Sequence, residues 1–224
     1  MLPRIAIPVP HSEREYAERA LAQYLRAVQQ AGGEPVRVEL ELSNPEIARI
    51  ASRCDAILLP GSKADIDPGK YGAATRHPRT APSDPARDNA DELLLQDAFN
   101  MRKPILGICY GLQALNVWRT GTLIQHIESG INHQAGAAVL RAHTVTLEPG
   151  SLLSDIIGPA SHPALWVNST HHQAADVAGD GLRVVARAVA ARPEERIIEA
   201  LESAAPDHFV LAVQWHPERT FEQD

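Results

Sequence analysis

A chain of 224 residues, 44% hydrophobic and 22% charged, carries enough apolar material for one sizeable core, which excludes the disordered and collagen-like classes. Its net charge of −7, with no run of Lys or Arg, argues against a nucleic-acid backbone or an anionic membrane surface as partner, and no stretch approaches the ~20 apolar residues of a membrane-spanning helix. Two cysteines, Cys54 and Cys109, are too few for a secreted disulfide framework; with no signal-peptide pattern in the opening MLPRIAIPVP, the expected location is the cytoplasm.

Ile5 to Val9 reads as a short buried strand. Tyr16, Ala20, Leu21, Tyr24, Leu25 and Val28 then follow at helical spacing with charges between them, and Gly32 and Gly33 end that helix. Pro35 to Leu40 alternates like a strand, Pro45 opens a short helix, and Ala56 to Leu59 is a third strand closed by Pro60 and Gly61. Cys54, just before it, reads as core. Residues 62–88 are rich in proline and lack periodicity, so a long loop is expected there, with Asp84 to Asp88 as a cap and Asp88 or Asn89 starting the next helix. Asp91 to Asn100 is that helix. Ile105 to Ile108 is a strand and Leu112 to Trp118 a helix. Repeated strand-then-helix order implies a parallel sheet covered on both faces. The second half offers strands at His143 to Leu147, Leu165 to Asn168, Leu182 to Ala188, Ile197 to Leu201 and Val210 to Trp215. With no repeat and no linker, one α/β domain over residues 1–224 is expected.

The segment from Ile105 to Gln113 carries the chemistry. It places Gly107-Ile108-Cys109-Tyr110-Gly111 between a strand and a helix, and a nucleophile on such a sharp turn needs small neighbours. The turn puts Cys109 at a helix N-terminus, whose positive end favours a thiolate, and aims the Tyr110 N–H where an oxyanion would form. The blander alternative is a small buried cysteine packed between glycines. A thiol nucleophile needs a base, and the chain holds ten histidines. His216 stands out because it follows the apolar run 210–215, where α/β sites collect at strand ends. Glu218, two residues on, can turn back to fix the imidazole tautomer; the blander reading is a surface His-Pro turn. Histidines 126, 133, 143 and 162 show no zinc spacing, and no P-loop or dinucleotide fingerprint appears, so no metal and no cofactor are expected.

GICYGLQ (107–113) together with WHPE (215–218) resembles the class I glutamine amidotransferase superfamily, and more closely its γ-glutamyl hydrolase branch, the peptidase C26 type. Segments 58–72, 84–88, 103–117, 121–127, 142–153, 167–174 and 213–218 match in family order. The resemblance implies a three-layer, flavodoxin-like sandwich with a mostly parallel central sheet. It also implies Cys109 as nucleophile, His216 as base and then acid, and Glu218 as orienter. A second oxyanion donor would come from the N–H of Gly61 or Ser62, beside that of Tyr110, and the glutamyl pocket would be walled by Gln113, His171, His172 and Gln173. The implied partner is a small γ-glutamyl substrate, with a homodimer left open. Tyr110 stands where many of the branch carry Arg, which would put a flat ring beside the leaving group. Arg119-Thr120 replaces small or glycine residues, and a closing helix usually follows the position of Asp224. The implied activity is hydrolysis of γ-glutamyl amides through a glutamyl thioester. The alternatives are a glutaminase subunit feeding ammonia to a synthetase, and a redox or chaperone relative, which would lack the His-x-Glu pair.

Overall fold

The computed structural model describes residues 1–158 and 164–222. Its first half alternates strand and helix: β1 (Arg4–Pro8), α1 (Arg14–Gln30), β2 (Glu34–Val38), α2 (Asn44–Ser52), β3 (Ala56–Leu59), α3 (Pro85–Met101), β4 (Ile105–Ile108) and α4 (Tyr110–Trp118). Each element follows from local chemistry. In α1 the buried residues Ala17, Leu21, Tyr24 and Val28 form one stripe, and Gly32 takes the left-handed turn after it at φ 83°. In α2 Ser43 and Glu46 form a reciprocal capping box ahead of Ile47 and Ala51, which satisfies two orphan N–H groups.

The second half holds β5 (Leu123–Ile124), β6 (His143–Leu147), α5 (Leu152–Ile157), β7 (Leu165–Val167), β8 (Ala174–Ala175), β9 (Leu182–Ala188), β10 (Ile198–Ser203) and β11 (Val210–Val213). The main sheet has the order β2-β1-β3-β4-β11-β10-β9-β6-β7, and β5 pairs separately with β8. From β2 to β11 all pairings are parallel; from β11 outward they are antiparallel, so β10 and β6 alone run against the other strands of this sheet. The step from β1 to β2 goes one way along the sheet, and the steps from β2 to β3 and from β3 to β4 go the other. Right-handed crossovers therefore put α1 on one face and α2 and α3 on the other, which gives the three layers the sequence implied. Among the described residues no helix is long and apolar enough to cross a membrane.

Several strand bounds shift from the sequence reading by one or two residues, and two helices start earlier. Helix α3 starts at Pro85, not near Asp91, with Asp84 as its N-cap accepting the Arg87 N–H at 3.3 Å. Its first turns bury Arg87, Asp88 and Asp91 in polar contacts, so apolar periodicity does not report them. Helix α4 starts at Tyr110, two residues early. The loop before α3 is accordingly shorter and holds a 3-10 turn at Pro68–Tyr71. Helix α5, the two-residue strands β5 and β8, and the 3-10 turns are additions that the sequence did not signal.

The parallel register decides where the site forms. Leu59 of β3 pairs with Gly107 of β4, and Ile108 pairs with Val213 of β11. The three strands thus release Pro60-Gly61, Cys109 and Gln214-Trp215-His216 side by side at their carboxyl ends.

Candidate active site

Cys109 sits between β4 and α4 at φ 53°, ψ −105°, a conformation non-glycine residues rarely hold. Its N–H donates to Val213 O at 2.8 Å, and its carbonyl accepts from Leu112 N–H at 3.0 Å, so both neighbouring elements pin the turn. The flanking glycines are sterically required. A Cβ on Gly111 would lie 2.2 Å from Leu59 O, and one on Gly107 would lie 2.9 Å from Gly111 O.

The Pro217–Arg219 turn folds Glu218 back so that His216 Nδ1 donates to its Oε1 at 2.7 Å. That leaves Nε2 for the thiol side. Burial disfavours the imidazolium, but the charge of Cys109 and then that of Glu218 outweigh it and lift His216 to about 9. Asn168 clamps the histidine main chain, accepting its N–H at 2.9 Å and donating to its carbonyl at 2.8 Å. Gly61 closes the third side: a Cβ there would stand 2.9 Å from His216 Cε1 and 3.5 Å from Cys109 Cβ. Its N–H already donates to the Tyr24 hydroxyl at 3.0 Å. The fully buried Arg87 holds the same turn, donating to Pro60 O at 2.7 Å and Pro10 O at 2.9 Å and pairing with Asp91 at 2.7 Å. Burial, and next the charge of Cys109, push the Tyr16 hydroxyl up to about 12.

Of the expected site residues, Cys109, His216, Glu218 and Gly61 come together. Gln113 is buried one turn along α4, its amide donating to Gln173 O at 3.2 Å and Gln214 Oε1 at 3.3 Å. Gln173 in turn donates to Gln125 O at 3.0 Å. His172 faces Asp65, with its Nε2 3.1 Å from Oδ1. The ring of His171 is turned away, toward Glu199, with Nδ1 on Gln173 O at 2.9 Å. Tyr110 differs from expectation in its side chain. The ring is 1% exposed, packs under the Arg87 guanidinium and hydrogen-bonds to Asp88, so it does not shape a leaving-group opening. Asn168, Tyr24 and Arg87 were assigned no part in the site from sequence, because their contacts to it reach across long sequence separations that no local pattern encodes. Of the scattered histidines, His126 stacks on His77, His133 and His143 meet inside the molecule, and His162 lies outside the described residues.

The peptidase C26 family model matches residues 7–218. The γ-glutamyl-γ-aminobutyrate hydrolase PuuD of Escherichia coli strain K12 is 34% identical over 206 residues, which is 88% of this chain and 77% of that protein. A Mycobacterium tuberculosis relative named provisionally as a glutamine amidotransferase is 37% identical over 209 residues, 90% of this chain; the chain spans less than two thirds of its length, 63%. Among solved structures, the glutaminase domain of Trypanosoma brucei CTPS with bound acivicin superposes with a TM-score of 0.61 at 17% identity, covering 96% of this chain and 86% of that one. A glutamine amidotransferase from Thermotoga maritima does so with a TM-score of 0.61 at 14% identity, covering 97% and 77%. At these identities the likeness establishes the fold.

Proposed function

The chain belongs to the peptidase C26 family, and from that membership we propose that it is a cysteine-dependent hydrolase of γ-glutamyl amide bonds. The observation that carries this reading is Cys109 on its strained turn, one paired strand away from a His216 that Glu218 already orients. The Cys109 sulfur attacks the γ-carbonyl carbon. Negative charge develops on the carbonyl oxygen, and the Tyr110 N–H, free at the first turn of α4, is one donor for it. Ser62 N–H is the better second donor, because Gly61 N–H is taken by Tyr24. His216 then passes its proton to the departing amine as the C–N bond breaks, leaving a glutamyl thioester. Water, deprotonated by His216, attacks the thioester and releases glutamate and the free thiol. Gln113, His172 and Gln173 line the glutamyl side of this proposal, and His171 braces that wall from behind through its bond to the Gln173 carbonyl.

A pocket that reads a free α-amine and α-carboxylate leaves only the γ-carbonyl over Cys109. An α-linked glutamyl peptide would leave buried polar groups unpaired, a mismatch worth roughly 10⁴ in discrimination. The test follows glutamate release from γ-glutamyl-γ-aminobutyrate, γ-glutamyl-putrescine, γ-glutamyl-glutamate, free glutamine and an α-glutamyl control. Turnover of γ-glutamyl amides by the chain alone, lost in Cys109→Ala, supports hydrolysis. Turnover of glutamine only, and only with a synthetase present, would move the protein to the ammonia-delivering class.

A further inference from the structure

Four side chains distant in sequence meet inside the antiparallel half of the molecule: His133 after β5, His143 on β6, His171 between β7 and β8, and Glu199 on β10. They are 3%, 7%, 4% and 0% exposed. One nitrogen of each ring and a carboxylate oxygen all lie within 4.8 Å of one another. Glu199 Oε1 is 3.3 Å from His133 Nδ1, 3.4 Å from His143 Nε2 and 3.7 Å from His171 Nε2. Ligands about 2.0–2.1 Å from a tetrahedral ion stand about 3.4 Å apart, so the three Glu199–histidine distances are close to those of a coordination shell.

Hydrogen bonding does not account for the cluster. His171 Nδ1 donates to Gln173 O at 2.9 Å, and His143 Nδ1 faces Thr144 O at 3.3 Å. A carbonyl can only accept, so both rings carry their proton on Nδ1 and present a bare Nε2 lone pair. Those lone pairs converge on the Glu199 carboxyl group, which can offer at most one proton to them. Among the described residues neither Nε2, neither nitrogen of His133 and neither oxygen of Glu199 has a hydrogen-bond partner. A proton shared between Glu199 and one ring would relieve one contact and leave the others, whereas one cation relieves all of them. Backbone carbonyls that fix the remote nitrogen are also what ligating histidines use to set their tautomer.

We propose that His133, His143, His171 and Glu199 bind one divalent ion of the zinc class in a four-coordinate structural site. Three imidazoles with one carboxylate suit such a borderline ion, and four protein donors leave no open position for substrate, the mark of a structural site. The ion would staple β6 and β10 to the segments holding His133 and His171. The latter stretch also carries Asn168, which grips the His216 main chain, so the site braces the catalytic histidine from a distance. His133 also lines a surface depression of about 310 Å³ with Ile127 and Asn132. The site is independent of which amide the enzyme cleaves.

The test uses tag-free protein stripped with a chelator and titrated with Zn²⁺ alone, then with Co²⁺ as a spectroscopic probe. The expected result is one bound equivalent, the intense visible bands of four-coordinate cobalt, and a Tm that rises with Zn²⁺ and falls back on chelation. His143→Gln and Glu199→Gln should each weaken binding at least about tenfold. His77→Ala, in the separate His77–His126 pair, should bind as the parent does. Absence of a bound equivalent, the weak spectrum of six-coordinate cobalt, or binding that survives both cluster substitutions would overturn the proposal. Should the cluster variants fail to fold, X-ray absorption on the zinc-loaded parent decides: four light-atom neighbours at about 2.0–2.1 Å with the outer-shell scattering of about three imidazoles support the site, and any sulfur or a shell without imidazole scattering overturns it.

Discussion

Cys109 holds φ 53° and ψ −105°, where a side chain costs about 1–3 kcal/mol of strain. At ordinary positions alanine is more stabilising than glycine by about 0.4–1 kcal/mol, through the unfolded chain. Here the order should reverse. Both Cys109→Gly and Cys109→Ala remove the sulfur, so their difference isolates the backbone, and Cys109→Gly should be the more stable by about 1 kcal/mol in denaturant unfolding. Alanine more stable than glycine would mean that the turn is not strained. A second prediction concerns charge. His216 is raised from 6.5 to about 9, so its stabilising contribution is complete below pH 6.5 and is lost as pH rises through about 9. The basic limb of kcat/KM should fall in that window, with an apparent pKa that belongs to the Cys109–His216 pair. Glu218→Gln removes one of the two anions that lift it, so the limb should move to lower pH. In a serine protease, loss of the orienting carboxylate costs about 10⁴ in kcat and loss of nucleophile or base about 10⁶; Glu218→Gln should likewise stay well above Cys109→Ala and His216→Ala. A limb that does not move would remove Glu218 from its orienting role. Cys109, His216 and Glu218 stood out in the sequence because Gly-x-Cys-x-Gly and His-Pro-Glu are local patterns. Asn168 was not, since it meets His216 across 48 residues of sequence, and nothing nearby in the chain marks the contact.

Helix α4 starts at a turn forced by packing and ends at an unforced cost. Its start is fixed by close approach, with Gly111 against Leu59 O. Its end is less well served. Thr120 follows at φ 69°, is exposed, and donates its N–H to Val117 O at 2.9 Å. Helices commonly end on a left-handed residue, and glycine is favoured there because it has no Cβ to clash. Arg119 compensates in part: its guanidinium lies over Phe99 and Trp118, and its Nε donates to Asp180 O at 2.7 Å. Thr120→Gly should therefore stabilise the protein by about 1 kcal/mol, a Tm rise of roughly 2–4 °C for a chain of this size, with turnover unchanged. A fall in Tm would show that Arg119 or the neighbouring loop depends on the threonine. The same element scale explains the uneven reading of the sequence. Helix α1 was visible because its apolar stripe is continuous, whereas the start of α3 was hidden because it buries Arg87, Asp88 and Asp91 in place of apolar residues. Strands of two residues, as in β5 and β8, are too short to show any period.

Across the whole molecule, a parallel sheet has two unlike edges, and the chain puts one cysteine at each. Cys54 precedes the first residue of β3 and Cys109 follows the last of β4, and these strands are parallel neighbours. The thiols therefore lie at opposite ends of the sheet and cannot form a disulfide within one chain. Their surroundings differ more than their exposure, which is 3% for Cys54 and 6% for Cys109. Burial pushes the Cys54 thiol up, and its own backbone N–H donates to Ala51 O at 3.0 Å, at the packed end of α2. Cys109 instead faces a histidine that stays charged to about pH 9, at the edge where three strand ends open onto loops. Thiol alkylation requires the thiolate and a path to it, and both conditions favour Cys109. Brief labelling of the native protein with iodoacetamide at neutral pH, followed by peptide mapping, should modify Cys109 at least about tenfold faster than Cys54. His216→Ala should erase most of that advantage, because it removes the charge while leaving the edge open. Labelling confined to Cys54, or a Cys109 rate indifferent to His216, would mean that the two residues are neighbours without acting as a pair.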